Sequence, residues 1–339
     1  MPELSLSAKL MRSAAVCAAI MLLTGSLPAQ QKSGTNPAGT QQAAGKQAAK
    51  TQPPKTAPGK GEAQDEVLTA GDGWPIHITY YESAKGKEAP VVILLAGAEG
   101  PDKKDVRNRR VWQSTALALQ KSDFAVVAVD LRKHGDSLPP ATGTEPPTVK
   151  MSAMDYALMA TVDLEAVKAF LMEKHKEEKL NIRKLGIVSV GSSSMVSAAF
   201  AVADWAKPPY PDAPTLEART PRGQDVRALI MYSPNSTVKN INANTILKTV
   251  KGLQVAVHVI ASKDLPDDVR SAEKIFKAVE LKGDEYKDVR KITLTEGKTH
   301  AEGFLEGAFA DTTNKDIVDF LTKNVKEMDA PWSSRKSRL

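Results

Sequence analysis

Between residues 66 and 329 the chain alternates two hydrophobic rhythms. Short, predominantly apolar runs, "VVILL" (91–95), "FAVVAV" (124–129), "LGIVSV" (185–190), "ALIMY" (228–232) and "VAVHVIAS" (255–262), have the length and branched content of strands buried on both faces. Between them lie stretches with helical spacing. Residues 105–121 repeat through Val111, Trp112, Leu117 and Leu119. "MDYALMATVDLEAVKAFLMEKH" repeats through Ala157, Met159, Val162, Val167 and Leu171, with Asp155 read as its cap. "SSMVSAAFAVADW", "DDVRSAEKIFKAVE" and "NKDIVDFLTKNVKEM" read as further helices, and "VRKITLT" as a last strand. Upstream, "EVLTA" and "PIHITYYES" flank "GDGW" as a hairpin. The pattern predicts an α/β fold: a mostly parallel central sheet with helices on both faces, led by two antiparallel strands. Such sheets carry their chemistry at the carboxyl ends of the strands. The exits to inspect are 96–100, 130–137, 191–195, 233–236, 261–268 and 295–303.

The ends of the chain follow other rules. Residues 1–29 read as a signal peptide: Lys9 and Arg12 precede the apolar "SAAVCAAIMLLTG", which is short for a membrane span, and "SLPAQ" offers cleavage after Ala29. The alternative is an uncleaved anchor. Export to the periplasm or outside the cell follows from the first reading. Residues 30–65 lack aromatic and branched aliphatic side chains and are expected to be a disordered linker. Residues 330–339 are expected to be a basic tail, leaving 66–329 as the folded domain. The only cysteine, Cys17, lies in the apolar leader, so disulfides and thiolate chemistry are not expected of the domain. The net charge of +6 belongs to the ends, which carry +1, +3 and +3 and leave −1 on the domain. A nucleic-acid groove is therefore not expected, and contact with the cell envelope is limited to the basic ends.

The exit at "GSSSM" (191–195) follows a buried strand and opens a helix. With Gly191 as the small residue, Ser193 is the candidate nucleophile, and the Ser194 N–H at the helix start is a candidate oxyanion donor. A plain polar turn is the alternative. A serine nucleophile needs an imidazole base oriented by a carboxylate. Of five histidines, His300 in "TLTEGKTH" lies at the correct edge. His77 belongs to the hairpin, His175 reads as solvated at a helix end, His258 as a core residue, and His134 as a loop-structuring residue. Asp264, beyond "VHVIAS", is the candidate acid, with Asp267 and Asp268 as fallbacks and Asp267 also a helix cap. "YSPNST" supplies Asn235 but no acid. The Ala98 N–H in "AGAEG" is the second oxyanion donor, or else part of an ordinary glycine turn.

Together these exits resemble the α/β-hydrolase family over about residues 66–329. "LLAGAEG" is similar to its "HGxGG" loop, "AVVAVDLRKHGDS" to its "DLRGHGxS" segment, "VGSSSM" to its nucleophile elbow, "VIASKD" to its acid strand and "GKTH" to its histidine loop. The resemblance implies a Ser193–Asp264–His300 triad that hydrolyses a small ester or amide through an acyl-enzyme. It implies no metal and no cofactor, and a small or absent lid. Met195 and Ala96 replace the family's glycine and histidine; neither is a reacting group. Two other readings stay open: an inactive relative that binds a ligand or partner, and a flavodoxin-like domain with "GSSS" as an anion-binding turn. The segment from Trp205 to Gln224 reads as surface cover, with a pocket wall as the alternative.

Overall fold

The computed structural model describes residues 62–99, 107–139 and 150–338. The signal-peptide reading, Cys17 and the linker up to residue 61 lie outside them. Among the described residues eight strands form one sheet: β1 (Ala63–Thr69), β2 (Pro75–Tyr81), β3 (Val91–Leu95), β4 (Ala125–Val129), β5 (Leu185–Val190), β6 (Val226–Tyr232), β7 (Ala256–Ser262) and β8 (Arg290–Thr295). Their order is β1-β2-β4-β3-β5-β6-β7-β8. β2 is antiparallel to both β1 and β4, and every later pairing is parallel. β1 begins at Ala63, inside the segment expected to be linker. Its side chains are mostly exposed, so it is an edge strand with no apolar run to mark it.

Alternation along β3 divides the core. Val91, Ile93 and Leu95 point into one apolar layer, Val92 and Leu94 into the other. The first layer packs against α2 (Ala153–Leu158), α3 (Leu164–Lys176), α4 (Ser193–Ala206), α5 (Ala243–Gly252) and α6 (Pro266–Val279). The second packs against α1 (Gln113–Lys121) and α7 (Ala310–Leu321) through Trp112, Ala116, Leu119, Ile317 and Phe320. Among the described residues no helix is long and apolar enough to cross a membrane.

Three local features differ from the sequence reading. Ser152, not Asp155, caps α2; Asp155 returns the bond to the Ser152 N–H in a capping box. His175 is fully buried, not solvated. Trp332 stacks on its ring at 5.0 Å, and its nitrogens face the Leu180 and Ser333 carbonyls. The burial of His175 follows from the third: residues 330–338 are no free tail but a strap on the domain. Its Arg335 is buried and ion-paired with buried Asp225, which also lies 2.9 Å from Lys168. The segment 205–224 joins the far end of α4 to the start of β6, away from the carboxyl edge. It is cover there, with the Trp205 indole donating to the Val226 carbonyl at 2.8 Å.

The "DLRKHGDS" stretch proves to be a structural clamp. Asp130 accepts from the Arg109 and Asp136 N–H groups at 2.6 and 3.0 Å. Arg132 is bonded to Asp163 and Asp72 at 2.5–3.1 Å. His134 is buried with Nδ1 2.9 Å from the Arg132 carbonyl, and burial pushes its pKa down.

Candidate functional site

β4 and β5 flank β3 on opposite sides, so the loops leaving β3 and β5 diverge and open a crevice at the carboxyl edge. The β5–α4 turn forms its floor. Gly191 follows the last strand residue directly and has φ +56°, the left-handed region that glycine enters without Cβ strain. Its N–H donates to the Tyr232 carbonyl at 3.0 Å, and its own carbonyl accepts the Ser194 N–H at 3.2 Å, starting the helix. The strained, outward apex of this elbow is therefore residue 191, which has no side chain. Ser189 and Ser193 stand two places before and after it, as the small residues that strand and helix need for close approach.

This corrects the reading of Ser193. Its side chain is fully buried. Its hydroxyl donates to the Val190 carbonyl at 2.7 Å and accepts the Val190 N–H at 3.1 Å, at the base of the turn. It faces the sheet, not the crevice. Ser194 is corrected too, because its N–H is committed to Gly191. Met195 is wholly inside the core, four places past the apex, where no glycine is required.

The N–H that follows the apex, on Ser192, is the one placed to receive a developing oxyanion. Glu99 already holds it. Glu99 Oε1 accepts from Ser192 N at 2.6 Å and from Asn235 Nδ2 at 2.9 Å, while Oε2 lies 3.5 Å from Arg107 Nε. A Cβ on residue 191 would lie 3.0 Å from Glu99 Cδ and closer still to Oε1, so the carboxylate fills the space a nucleophile would use. On the β3 side the pattern repeats: the Gly97 N–H donates to Glu302 Oε1 at 2.7 Å. A Cβ at Gly97 would meet Glu302 Oε1 at 2.9 Å, which is why glycine fits. Ala98 is fully buried beside it. Burial pushes the Glu302 carboxyl pKa up, and the charge of Glu99 adds to the effect. Asn235 Nδ2 also lies 2.9 Å from Ser192 Oγ, and the Tyr156 hydroxyl hydrogen-bonds to the same serine.

His300 sits at the rim, its side chain 58% exposed, with Nδ1 2.8 Å from Asp268 Oδ2. That bond raises the imidazole pKa, and the charges of Glu99 and Glu302 raise it further. Asp264, the expected acid, instead accepts the Gly297 N–H at 2.8 Å and braces the loop. Asp268 lies in the first turn of α6, where the chain folds back toward His300; Asp267 pairs with Arg270 at 2.9 Å. The structure thus joins His300 to Asp268, and separates Asp264 and the Ser193 hydroxyl from that pair. His258 is a core residue, 2.9 Å from Thr293 Oγ1, its pKa pushed by burial down to about 3. Among the described residues no group of three or more potential ligands is arranged to hold a metal ion.

Glu99, Glu302, Gly191 and Asn235 were not read as site residues from sequence. One signal pointed to Gly191: the frame Ser189-Val190-Gly191-Ser192-Ser193 has small residues on both sides of a strand-ending glycine.

No protein-family model and no curated protein sequence matches the chain. Solved structures do. An esterase from Pyrococcus furiosus superposes on 78% of this chain and 92% of its own, with TM-score 0.50 and 13% identity. Dienelactone hydrolase from Anabaena variabilis covers 79% of this chain and 100% of its own, with TM-score 0.50 and 10% identity. DcsB, solved in complex with its substrate analogue, covers 78% and 100%, with TM-score 0.53 and 15% identity. At these identities the likeness defines the fold. The fold is α/β-hydrolase-like, with an eight-stranded, mostly parallel sheet.

Proposed function

We propose that the protein is an exported α/β-hydrolase-fold binding protein that does not perform acyl transfer on serine. One observation carries the reading: the elbow apex is Gly191, and the N–H beyond it is occupied by the Glu99 carboxylate. Acyl transfer needs a hydroxyl at the apex and unoccupied donors for the oxyanion. Here carboxylates stand where donors are required, a lining that suits ligand groups able to donate hydrogen bonds, such as amines or hydroxyls, over an acyl oxygen. Export rests on Lys9, Arg12 and the apolar run that follows. A panel of nitrophenyl esters of increasing acyl length and of aminoacyl amides tests the reading. The expected result is no turnover above buffer, alongside thermal stabilisation by amine- or hydroxyl-bearing ligands. Turnover that disappears in Ser193→Ala would overturn it.

The His300–Asp268 pair favours a second reading, hydrolysis by a water molecule that His300 activates. Turnover abolished by His300→Ala and indifferent to Ser193→Ala would select it.

A further inference from the structure

We infer that a cavity at the opposite edge of the sheet, under the C-terminal strap, binds a small phosphoryl or sulfuryl anion. The cavity measures about 150 Å³ and is lined by eight residues, four of them cationic (Lys176, Arg222, Arg335 and Lys336) and none acidic. Each cation comes from a different direction or depth. Lys176 ends α3, where a positive charge complements the helix dipole. The Arg222 guanidinium carbon lies over the Tyr210 ring, 5.1 Å from its centroid. Arg335 lies at the base, with one guanidinium nitrogen 2.6 Å from the Pro221 carbonyl and another near the Gly223 carbonyl at 3.5 Å. That anchor fixes the position of Lys336, the next residue along the strap.

The charge beneath the cavity is already balanced. Buried Lys168 and Arg335 face buried Asp204 and Asp225, two cations against two carboxylates. At the rim, Lys176 has Glu173 at 2.7 Å, whereas neither Arg222 nor Lys336 has a carboxylate partner among the described residues. Buried Arg335 Nε is also without an acceptor among them. Two positive groups therefore converge on a concave space with no counter-charge, and a guanidinium beside an ammonium is the donor pair that oxyanions of phosphorus and sulfur accept from. The volume limits the occupant, because pockets for drug-sized ligands run about 300–1,000 Å³. One tetrahedral group fits that limit. Bound there, it joins α3, the 205–224 segment and the strap, and so holds the strap closed.

The test uses the full-length protein with inorganic phosphate and inorganic sulfate, against chloride at matched ionic strength. Thermal denaturation and calorimetric titration are expected to show saturable stabilisation and binding. The double variant Arg222→Gln/Lys336→Gln should weaken binding by about tenfold or more while leaving the unliganded melting temperature near wild type. A response that is linear, absent, or unchanged in the double variant would overturn the site. Vesicles with and without phosphatidylglycerol separate the two sources of the group. Sedimentation that phosphate competes away and the double variant lacks identifies a lipid headgroup. Phosphate binding without sedimentation identifies the free anion. Sedimentation indifferent to the double variant excludes the headgroup at this cavity.

Discussion

A serine side chain introduced by Gly191→Ser must share its space with the Glu99 carboxylate. Its Cβ would stand 3.0 Å from Glu99 Cδ and 3.2 Å from Oε2, inside normal contact. The carboxylate must then release the Ser192 N–H and the Asn235 amide, bonds of 2.6 and 2.9 Å. Losing such a charge-assisted pair costs about 1.5–3 kcal/mol, with the lower half of that range appropriate because water can reach the 28%-exposed Glu99. Holding a non-glycine residue in the left-handed region costs roughly 1–2 kcal/mol more. Together these put Gly191→Ser at about 3–4 kcal/mol. In the Glu99→Ala background only the backbone cost remains, about 1–2 kcal/mol.

Denaturant unfolding of wild type, both single variants and the double variant measures the difference directly. The expected coupling energy is about 1.5–2 kcal/mol, with the double variant more stable than additivity gives. Labelling provides an independent readout. The double variant should react with a fluorophosphonate at residue 191, and a further His300→Ala change should slow that reaction. Single-variant effects that add within about 0.5 kcal/mol would refute the claim that Glu99 and an apex side chain compete for one space.

His300 should titrate above the ordinary histidine range because Asp268 holds its proton. Proton NMR should show the value falling in Asp268→Asn and unchanged in Asp264→Asn; the reverse pattern would restore Asp264 as the partner. Since the folded-state value is raised, the pair stabilises the fold fully below about pH 6.5 and loses that contribution as pH rises through the folded value. Glu302 is a carboxyl raised by burial, so its ionised form opposes folding. Glu302→Gln keeps an acceptor for the Gly97 N–H. It should match wild type below about pH 4 and become the more stable protein as pH rises, in unfolding curves taken across pH. A variant that grows relatively weaker with pH would show that the charge is favourable. Arg335→Met leaves buried Asp225 with Lys168 alone and should cost about 3 kcal/mol in denaturant unfolding. A loss under about 1 kcal/mol would mean that the strap is not anchored there.

The sheet was legible because its strands are read one at a time. Apolar runs such as "VVILL" and "AVVAV" have the length and branched content of strands covered on both faces, and seven of the eight strands were legible over most of their length, whereas the exposed edge strand β1 was read only from Glu66 onward. α5 was missed: only Leu247 and Val250 are buried in it, too few to mark a helical period. The strap was missed because its grip comes from Trp332 on His175 and Arg335 on Asp225, contacts across more than 100 residues. The site was half legible for a related reason. His300 could be found from its place after the last strand. Its partner depended on where the first turn of α6 falls, which favours Asp268 over Asp264 by a matter of geometry. The elbow depended on one backbone angle, the positive φ at Gly191, and three consecutive serines drew attention away from the glycine before them.

Intact-protein mass spectrometry after prolonged incubation with a fluorophosphonate tests the central claim most directly. Wild type should show no mass gain, while Gly191→Ser/Glu99→Ala, treated alongside, should gain one phosphonyl group. A stoichiometric adduct on the wild-type protein that disappears in Ser193→Ala or Ser192→Ala would contradict it, since a reactive hydroxyl would then exist where the structure has a glycine under a carboxylate.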